Sequence, residues 1–264
     1  MQDVTRFHAL DSLRGICAIA VVLYHTHVVG SITEWAFFSN ADLFVEFFFV
    51  LSGFVMAHAY GSKRQLDFSH FLVSRTFRLL PLHVFMLAVF VALECLKYAA
   101  YRRGLSFNQT PFTGIYAPSQ ILPNLLLVQS WTHLTENLSF NTASWSISIE
   151  YWTYMLFAAT VLMASTRRYL LWTFIAFSGF ALLYRQIDVL TVYAQKGVGC
   201  FFAGALAYAF FSRLRGWIAP GFALLSVLEA LAAIAIWWVL SSDLPQKVLA
   251  ASAVFCVTIV LFAF

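Results

Sequence analysis

LDSLRGICAIAVVLYHTHVV, residues 10–29, decides the solvent in which this chain folds. The stretch is strongly apolar and, at about 1.5 Å per residue, long enough as a helix to cross a hydrocarbon core of roughly 30 Å. It nevertheless carries Arg14 and His25, with only uncharged residues between them. A spacing of eleven residues is close to three helical turns. The two side chains therefore share one face, separated along the axis by roughly 16 Å. Ionisable groups are costly in hydrocarbon, so such a pair is first read as functional.

The rest of the chain shares that solvent. Of 264 residues, 61% are hydrophobic, 11% are charged and 28 are Phe, and the mean hydropathy is +0.80. Apolar runs of near-spanning length recur at 9–29, 42–60, 80–101, 143–164, 169–185, 196–211, 217–240 and 246–264. The expectation is an all-α polytopic transmembrane helix bundle of about eight spans, forming a single membrane domain over 1–264. A further apolar piece, 119–131, follows Pro118 and is interrupted by Pro123 and Asn124. It is read as a short re-entrant or interfacial segment, because the loop charges disfavour a ninth span. With eight spans and a cytoplasmic N-terminus, the inside collects Arg6, Lys63, Arg64, Arg75, Arg78, Arg167, Arg168, Arg213 and Arg215. The outside keeps Arg102, Arg103, Arg185 and Lys196. A ninth span would move four of the inside arginines out, against the positive-inside bias.

The formal charge of +4 sits in small groups beside apolar runs, which fits loop anchoring at a bilayer and excludes nucleic acid as a partner. Cys17, Cys95, Cys200 and Cys256 stand singly in apolar segments and are expected to be buried thiols, with no metal site. The first run lacks a small-residue cleavage site and reads as a retained span. The chain ends within an apolar run, Val260 to Phe264, which reads as a bundle continuing beyond this sequence.

Three further patches gather around the opening pair. Glu46 precedes Phe47-Phe48-Phe49-Val50-Leu51-Ser52-Gly53-Phe54, a carboxylate at the start of an apolar helix. Arg75 and Arg78 stand three apart on a short amphipathic stretch, Phe68 to Leu80, which Pro81 is expected to separate from the third span. Ser144-Trp145-Ser146-Ile147-Ser148-Ile149-Glu150-Tyr151 begins another span with a carboxylate inside it. In the eight-span topology Glu46 and Glu150 lie near the level of His25, while Arg14, Arg75 and Arg78 stand at the cytoplasmic face.

That arrangement suits acyl transfer from a cytoplasmic thioester to a hydroxyl on the other side. Arginines bind the phosphates of coenzyme A by charge-assisted hydrogen bonds, and the pantetheine arm is comparable in length to the rise from Arg14 to His25. An imidazole accepts the proton of a sugar hydroxyl, and a carboxylate on its other nitrogen sets the tautomer. Glu46 and Glu150 are both candidates for that carboxylate. Ser146 and Ser52 are candidate donors to a developing oxyanion. Acyl-CoA, most simply acetyl-CoA, is then a donor substrate, and no permanently bound cofactor is expected.

At these residues the chain resembles the bacterial acyltransferase 3 family. Leu10 to Gly15 followed by His25 is similar to that family's Arg, ten residues, His signature, and Val45 to Phe54 to its second-helix motif. Arg75-Thr76-Phe77-Arg78-Leu79-Leu80-Pro81 resembles its Arg-x-x-Arg pattern, Ser144 to Glu150 its Trp-Ser-Leu-Ser-Val-Glu segment, and Gly199 to Gly204 a later helix. The resemblance implies an acyl-CoA donor, a carbohydrate or other hydroxylic acceptor, the bacterial inner membrane and about ten spans. The family's last-helix Ser-Tyr-x-x-Tyr-x-x-His-like segment has no counterpart before Phe264, in keeping with a domain incomplete at its C-terminus.

Plainer readings stand beside these. Arg14 alone suits an interfacial anchor paired with Asp11, His25 a hydrogen bond between helices, and Arg75 and Arg78 ordinary loop charge. Glu46 or Glu150 suits a structural ion pair. Two other functions remain open: a transporter using Arg14, His25, Glu46 and Glu150 as a substrate or proton path, and a non-catalytic fragment. His27 falls on nearly the opposite face from His25, and His8, His58, His70, His83 and His133 default to interface or packing roles.

Overall fold

The computed structural model describes residues 7–26, 28–61, 66–163 and 167–264; the expectations placed on Arg6, His27, Lys63 and Arg64 fall outside them. Among the described residues ten α-helices follow in order: α1 (His8–His25), α2 (Ala36–Ser39), α3 (Phe44–Tyr60), α4 (Phe68–Tyr101), α5 (Ile121–Leu125), α6 (Trp145–Met163), α7 (Arg168–Arg185), α8 (Val192–Leu214), α9 (Phe222–Ser241) and α10 (Lys247–Phe262). The described residues contain no strand, and the chain is an all-α helical bundle.

Among the described residues four segments, Ala41–Tyr60, Phe68–Tyr101, Val192–Leu214 and Phe222–Ser241, are long and apolar enough to cross a bilayer. The chain is a membrane protein. Side chains such as Ile16, Ile19 and Val22 on α1, and Leu82, Phe85 and Leu96 on α4, are exposed. They form an apolar surface suited to lipid.

Helix directions follow from pairs of contacts. Glu46 meets Lys196 near the start of α3 and α8, and His58 meets Tyr208 near their ends, so the two run the same way. Phe49 lies by Trp145 and Ser52 by Glu150 and Tyr154, so α6 runs with them. Phe7 packs on Phe54 and His58, whereas His25 shares a cavity with Val45 and Phe48; α1 therefore runs opposite to α3. Since α3 and α6 are parallel, a single crossing, α4, separates them. The segment 119–131 supplies the end of a 3-10 turn, Pro118–Gln120, and the five-residue α5, and then settles against α6: Trp131 Nε1 donates to the Ser148 carbonyl at 3.1 Å and Ser148 Oγ to the Leu127 carbonyl at 2.7 Å. It does not span.

α3 and α8 form the centre. Gly53 lies directly against the Phe201 carbonyl and Gly204 against the Val50 carbonyl, too close for any β-carbon, which is how small residues let two helices approach where lipid gives no hydrophobic drive. One buried cluster includes Phe47, Val50, Leu51 and Phe255; another includes Phe71, Tyr154, Phe157, Trp172, Phe201 and Phe202. Thr191 caps α8 by accepting from the Ala194 N–H at 3.1 Å, and Asp67 caps α4 by accepting from the His70 N–H at 3.0 Å.

Several expectations need correction. Pro81 does not separate two elements: it lies inside a continuous 34-residue α4. Its ring removes one N–H from the ladder, which a helix with intact neighbouring turns tolerates in a membrane. At about 1.5 Å per residue the 34 residues of α4 exceed the thickness of the bilayer core. α1 ends at His25: Thr26 leaves helical geometry and its N–H turns to the Leu23 carbonyl at 3.1 Å. Cys95 is exposed, unlike Cys17 and Cys200, which are buried. Lys196 is not a loop charge: α8 begins four residues earlier, at Val192.

Candidate active site

Two of the cavities along α1 lie at the levels of Arg14 and His25. The first, about 390 Å³, is lined by Arg14, Asp11, Arg78, His58, Ser52, Tyr154 and apolar neighbours that include Phe7 and Leu51. The second, about 300 Å³, is lined by His25, Glu150, Ser146, Trp145, Ala143, Val21, Val45, Phe48 and Phe49. The helix turns both Arg14 and His25 to the side occupied by α3, as their eleven-residue spacing requires.

In the cationic chamber, Arg14 Nη1 lies 3.9 Å from Asp11 Oδ1, with both side chains about two-fifths exposed. An ion pair that open contributes at most about 1 kcal/mol, so it does not lock the guanidinium. Arg78 is exposed to the same chamber. Arg75 is not: it is buried, its guanidinium carbon 5.6 Å from the Tyr154 ring centre and 5.7 Å from that of Phe71, and its Nε and Nη1 have no hydrogen-bond partner among the described residues. The shared face expected for the two arginines is thus divided, with Arg78 lining the cavity and Arg75 standing behind Tyr154.

The imidazole chamber brings His25, Glu150 and Ser146 together. Glu150 Oε1 accepts from Ser52 Oγ at 3.0 Å and from the Tyr154 hydroxyl in a short bond. Ser146 Oγ is engaged with the Ala143 carbonyl at 3.1 Å. Glu46 is elsewhere: its carboxylate is fully buried, 2.6 Å from Lys196 Nζ, and it lines neither cavity. Lys196 in turn lies 4.9 Å from the Trp145 ring centre and 5.5 Å from that of Tyr193, so the ion pair supports the wall of the imidazole chamber from behind. Among the described residues no group of three or more His, Cys, Asp or Glu side chains is placed to hold a metal ion.

Sequence reading did not single out Tyr154, Lys196 or His58. Tyr154 follows Glu150 by four residues, the helical spacing that puts two side chains on one face, and Thr191 as an N-cap marks Lys196 as lying inside a helix. His58 carries no comparable signal; its place in the cationic chamber depends on how α3 packs against α8.

Among curated proteins, "Protein 2 in picA locus" of Rhizobium radiobacter is 39% identical over 90 residues, 33% of this chain and 45% of that protein. "Acyltransferase MdmB" of Streptomyces mycarofaciens is 30% identical over 168 residues, 58% of this chain and 39% of that protein. "Putative peptidoglycan O-acetyltransferase YrhL" of Bacillus subtilis (strain 168) is 37% identical over 91 residues, 32% of this chain and 13% of that protein. The chain thus spans less than half the length of each of these relatives. No solved structure matches it. The acyltransferase 3 model, described as an acyltransferase domain, matches residues 7–264, the stretch that carries both chambers, and the chain belongs to that family.

Proposed function

We propose that this chain is the membrane-embedded transfer domain of an O-acyltransferase, taking an acyl group, most simply acetyl, from acyl-CoA and placing it on a hydroxyl of a carbohydrate or polysaccharide precursor. The observation that carries the reading is the pair of chambers on one helix, with guanidiniums in one and an imidazole beside a carboxylate in the other. Arg14 and Arg78 would hold the donor's phosphates by charge-assisted hydrogen bonds. The thioester, extended along α1 by roughly 16 Å, would lie at His25. A bacterial inner membrane with the N-terminus on the cytoplasmic side fits this reading, since acyl-CoA is a cytoplasmic donor and Arg75, Arg78, Arg167, Arg168, Arg213 and Arg215 then lie at or near the inner face.

His25 accepts the acceptor hydroxyl's proton as its oxygen attacks the thioester carbonyl. The tetrahedral intermediate collapses, the carbon–sulfur bond breaks, and His25 passes the proton to the departing CoA sulfur, which leaves as the thiol. Glu150 is the carboxylate that shares the chamber and stabilises the imidazolium. Glu46, paired with Lys196, is structural. Two relatives whose names include acyltransferase or O-acetyltransferase support the reaction class.

The test is acyl transfer from labelled acetyl-CoA to candidate glycans by the full-length protein in membranes. His25→Ala should lower kcat by about 10²- to 10⁴-fold, the usual contribution of a general base, and Arg14→Ala should mainly raise the KM for donor. Equal transfer by wild type and both variants would refute the mechanism, and solute flux without CoA release would favour transport.

A further inference from the structure

The two chambers are divided by three side chains. Ser52 and Tyr154 line the cationic chamber and Glu150 lines the imidazole chamber, yet both hydroxyls reach the same carboxylate oxygen, Glu150 Oε1. They also lie 3.4 Å from each other. The Glu150 carboxylate therefore faces His25's chamber with one side and is held from the donor's side with the other.

The holding residues are fixed from outside the site. Tyr154 is almost wholly buried, with Phe71 and Phe201 edge-on to its ring at 6.5 and 5.8 Å between centres and Arg75 over its face. Ser52 precedes Gly53, where α3 lies directly against the α8 backbone. Of the three, the Glu150 side chain has the most rotatable bonds and is only partly buried, so it is the member best able to change position.

We propose that Tyr154 and Ser52 hold Glu150 as a movable partition between the chambers and, when the donor's thioester arrives, release it to become hydrogen-bond donors to the reacting carbonyl. The inference rests on the donor and acceptor reading of the two chambers. A thioester extended from Arg14 and Arg78 towards His25 has to pass this point. Its carbonyl oxygen offers the two hydroxyls a substitute acceptor, so they turn from Glu150 to the oxygen on which negative charge develops. Glu150 loses both hydrogen bonds and is freed towards His25. Tyr154 and Ser52 keep their protons throughout; the only proton that moves is the acceptor's, through His25 to the departing thiolate. Before the donor arrives, Glu150 stays engaged and the chambers remain separate.

Two measurements on the full-length protein in sided vesicles test this. In the first, Tyr154→Phe, which keeps the ring and its packing, is expected to lower kcat for transfer from acetyl-CoA by about tenfold or more, as loss of a transition-state donor does, with the donor KM within about twofold. A wild-type kcat, or a loss confined to KM, overturns the proposal. The second needs no activity. Glu150 is labelled with a membrane-impermeant quaternary-ammonium carbodiimide applied to one face at a time, and the modified peptide is read by mass spectrometry. Wild type should label only from the face on which His25 lies, and Ser52→Ala/Tyr154→Phe from both. The same labelling pattern in the two proteins overturns the partition. If His25→Ala and Arg78→Ala leave transfer unchanged, the donor and acceptor reading fails, and the labelling still decides whether the partition exists.

Discussion

The Glu46 carboxylate meets the Lys196 ammonium at 2.6 Å across the contact between α3 and α8. Both charges are withdrawn from solvent, so each is tolerable only because of the other. Removing one partner leaves a buried uncompensated charge, at a typical cost of about 3–5 kcal/mol, whereas removing both is commonly near neutral. Lys196→Met and Glu46→Gln should each lower the melting temperature of the detergent-solubilised protein sharply, and the double variant should recover most of the loss. Additive losses in that double-mutant cycle would show that the two residues act independently.

Arg75 and Arg78 should separate in their kinetics although they stand one helical turn apart. Arg78 lines the cationic chamber, and a hydrogen bond to a charged group is worth about 1.5–3 kcal/mol, so Arg78→Ala should raise the donor KM about 10- to 100-fold with little change in kcat. Arg75 packs on Phe71 and Tyr154, and Arg75→Ala should lower thermal stability and disturb kcat through Tyr154. Donor titrations of the two variants check this, and matching KM increases with unchanged stability would contradict the division.

The bundle was legible in the apolar runs because membrane helices must satisfy their own backbone, leaving length and hydropathy as strong signals. The spacing of Arg14 and His25 was legible for a similar reason: a helix fixes it locally. Choosing between Glu46 and Glu150 was not possible from sequence, since both sit near the same depth and only the rotation of α3 towards Lys196 sets them apart. Pro81 misled, because a local break signal was outweighed by the intact turns on either side of it. The partition at Glu150 joins Ser52 of α3 to Tyr154 of α6, a pairing across 102 residues that depends on packing.

Gly53 and Gly15 offer a contrast between two helical glycines. A β-carbon on Gly53 would overlap the Phe201 carbonyl, while one on Gly15 would meet nothing within 4 Å. Gly53→Ala should force α3 and α8 apart, at a cost of about 1–3 kcal/mol or more, and lower the yield of folded protein. Gly15→Ala should be neutral or stabilising by up to about 1 kcal/mol, the difference in helix propensity. Size-exclusion profiles and melting curves of the two variants measure this, and equal behaviour would place the α3–α8 contact elsewhere.

Asp67 gives the fold a pH dependence outside the membrane. Its Oδ1 accepts from the His70 N–H at 3.0 Å and from the Ser69 hydroxyl at 2.8 Å. These bonds, the His70 N–H first, hold the carboxyl below its ordinary value of 3.8. A group whose folded pKa is depressed contributes stability that is fully present above its unfolded pKa and is lost as pH falls through the folded one. Asp67→Asn keeps a capping oxygen but removes the charge, which also favours the positive N-terminal end of α4. The variant should therefore melt below wild type near neutral pH, and the gap should close as the pH falls below 3.8. Melting curves over that range distinguish this from a cap that works without charge, for which the two proteins would differ little at any pH.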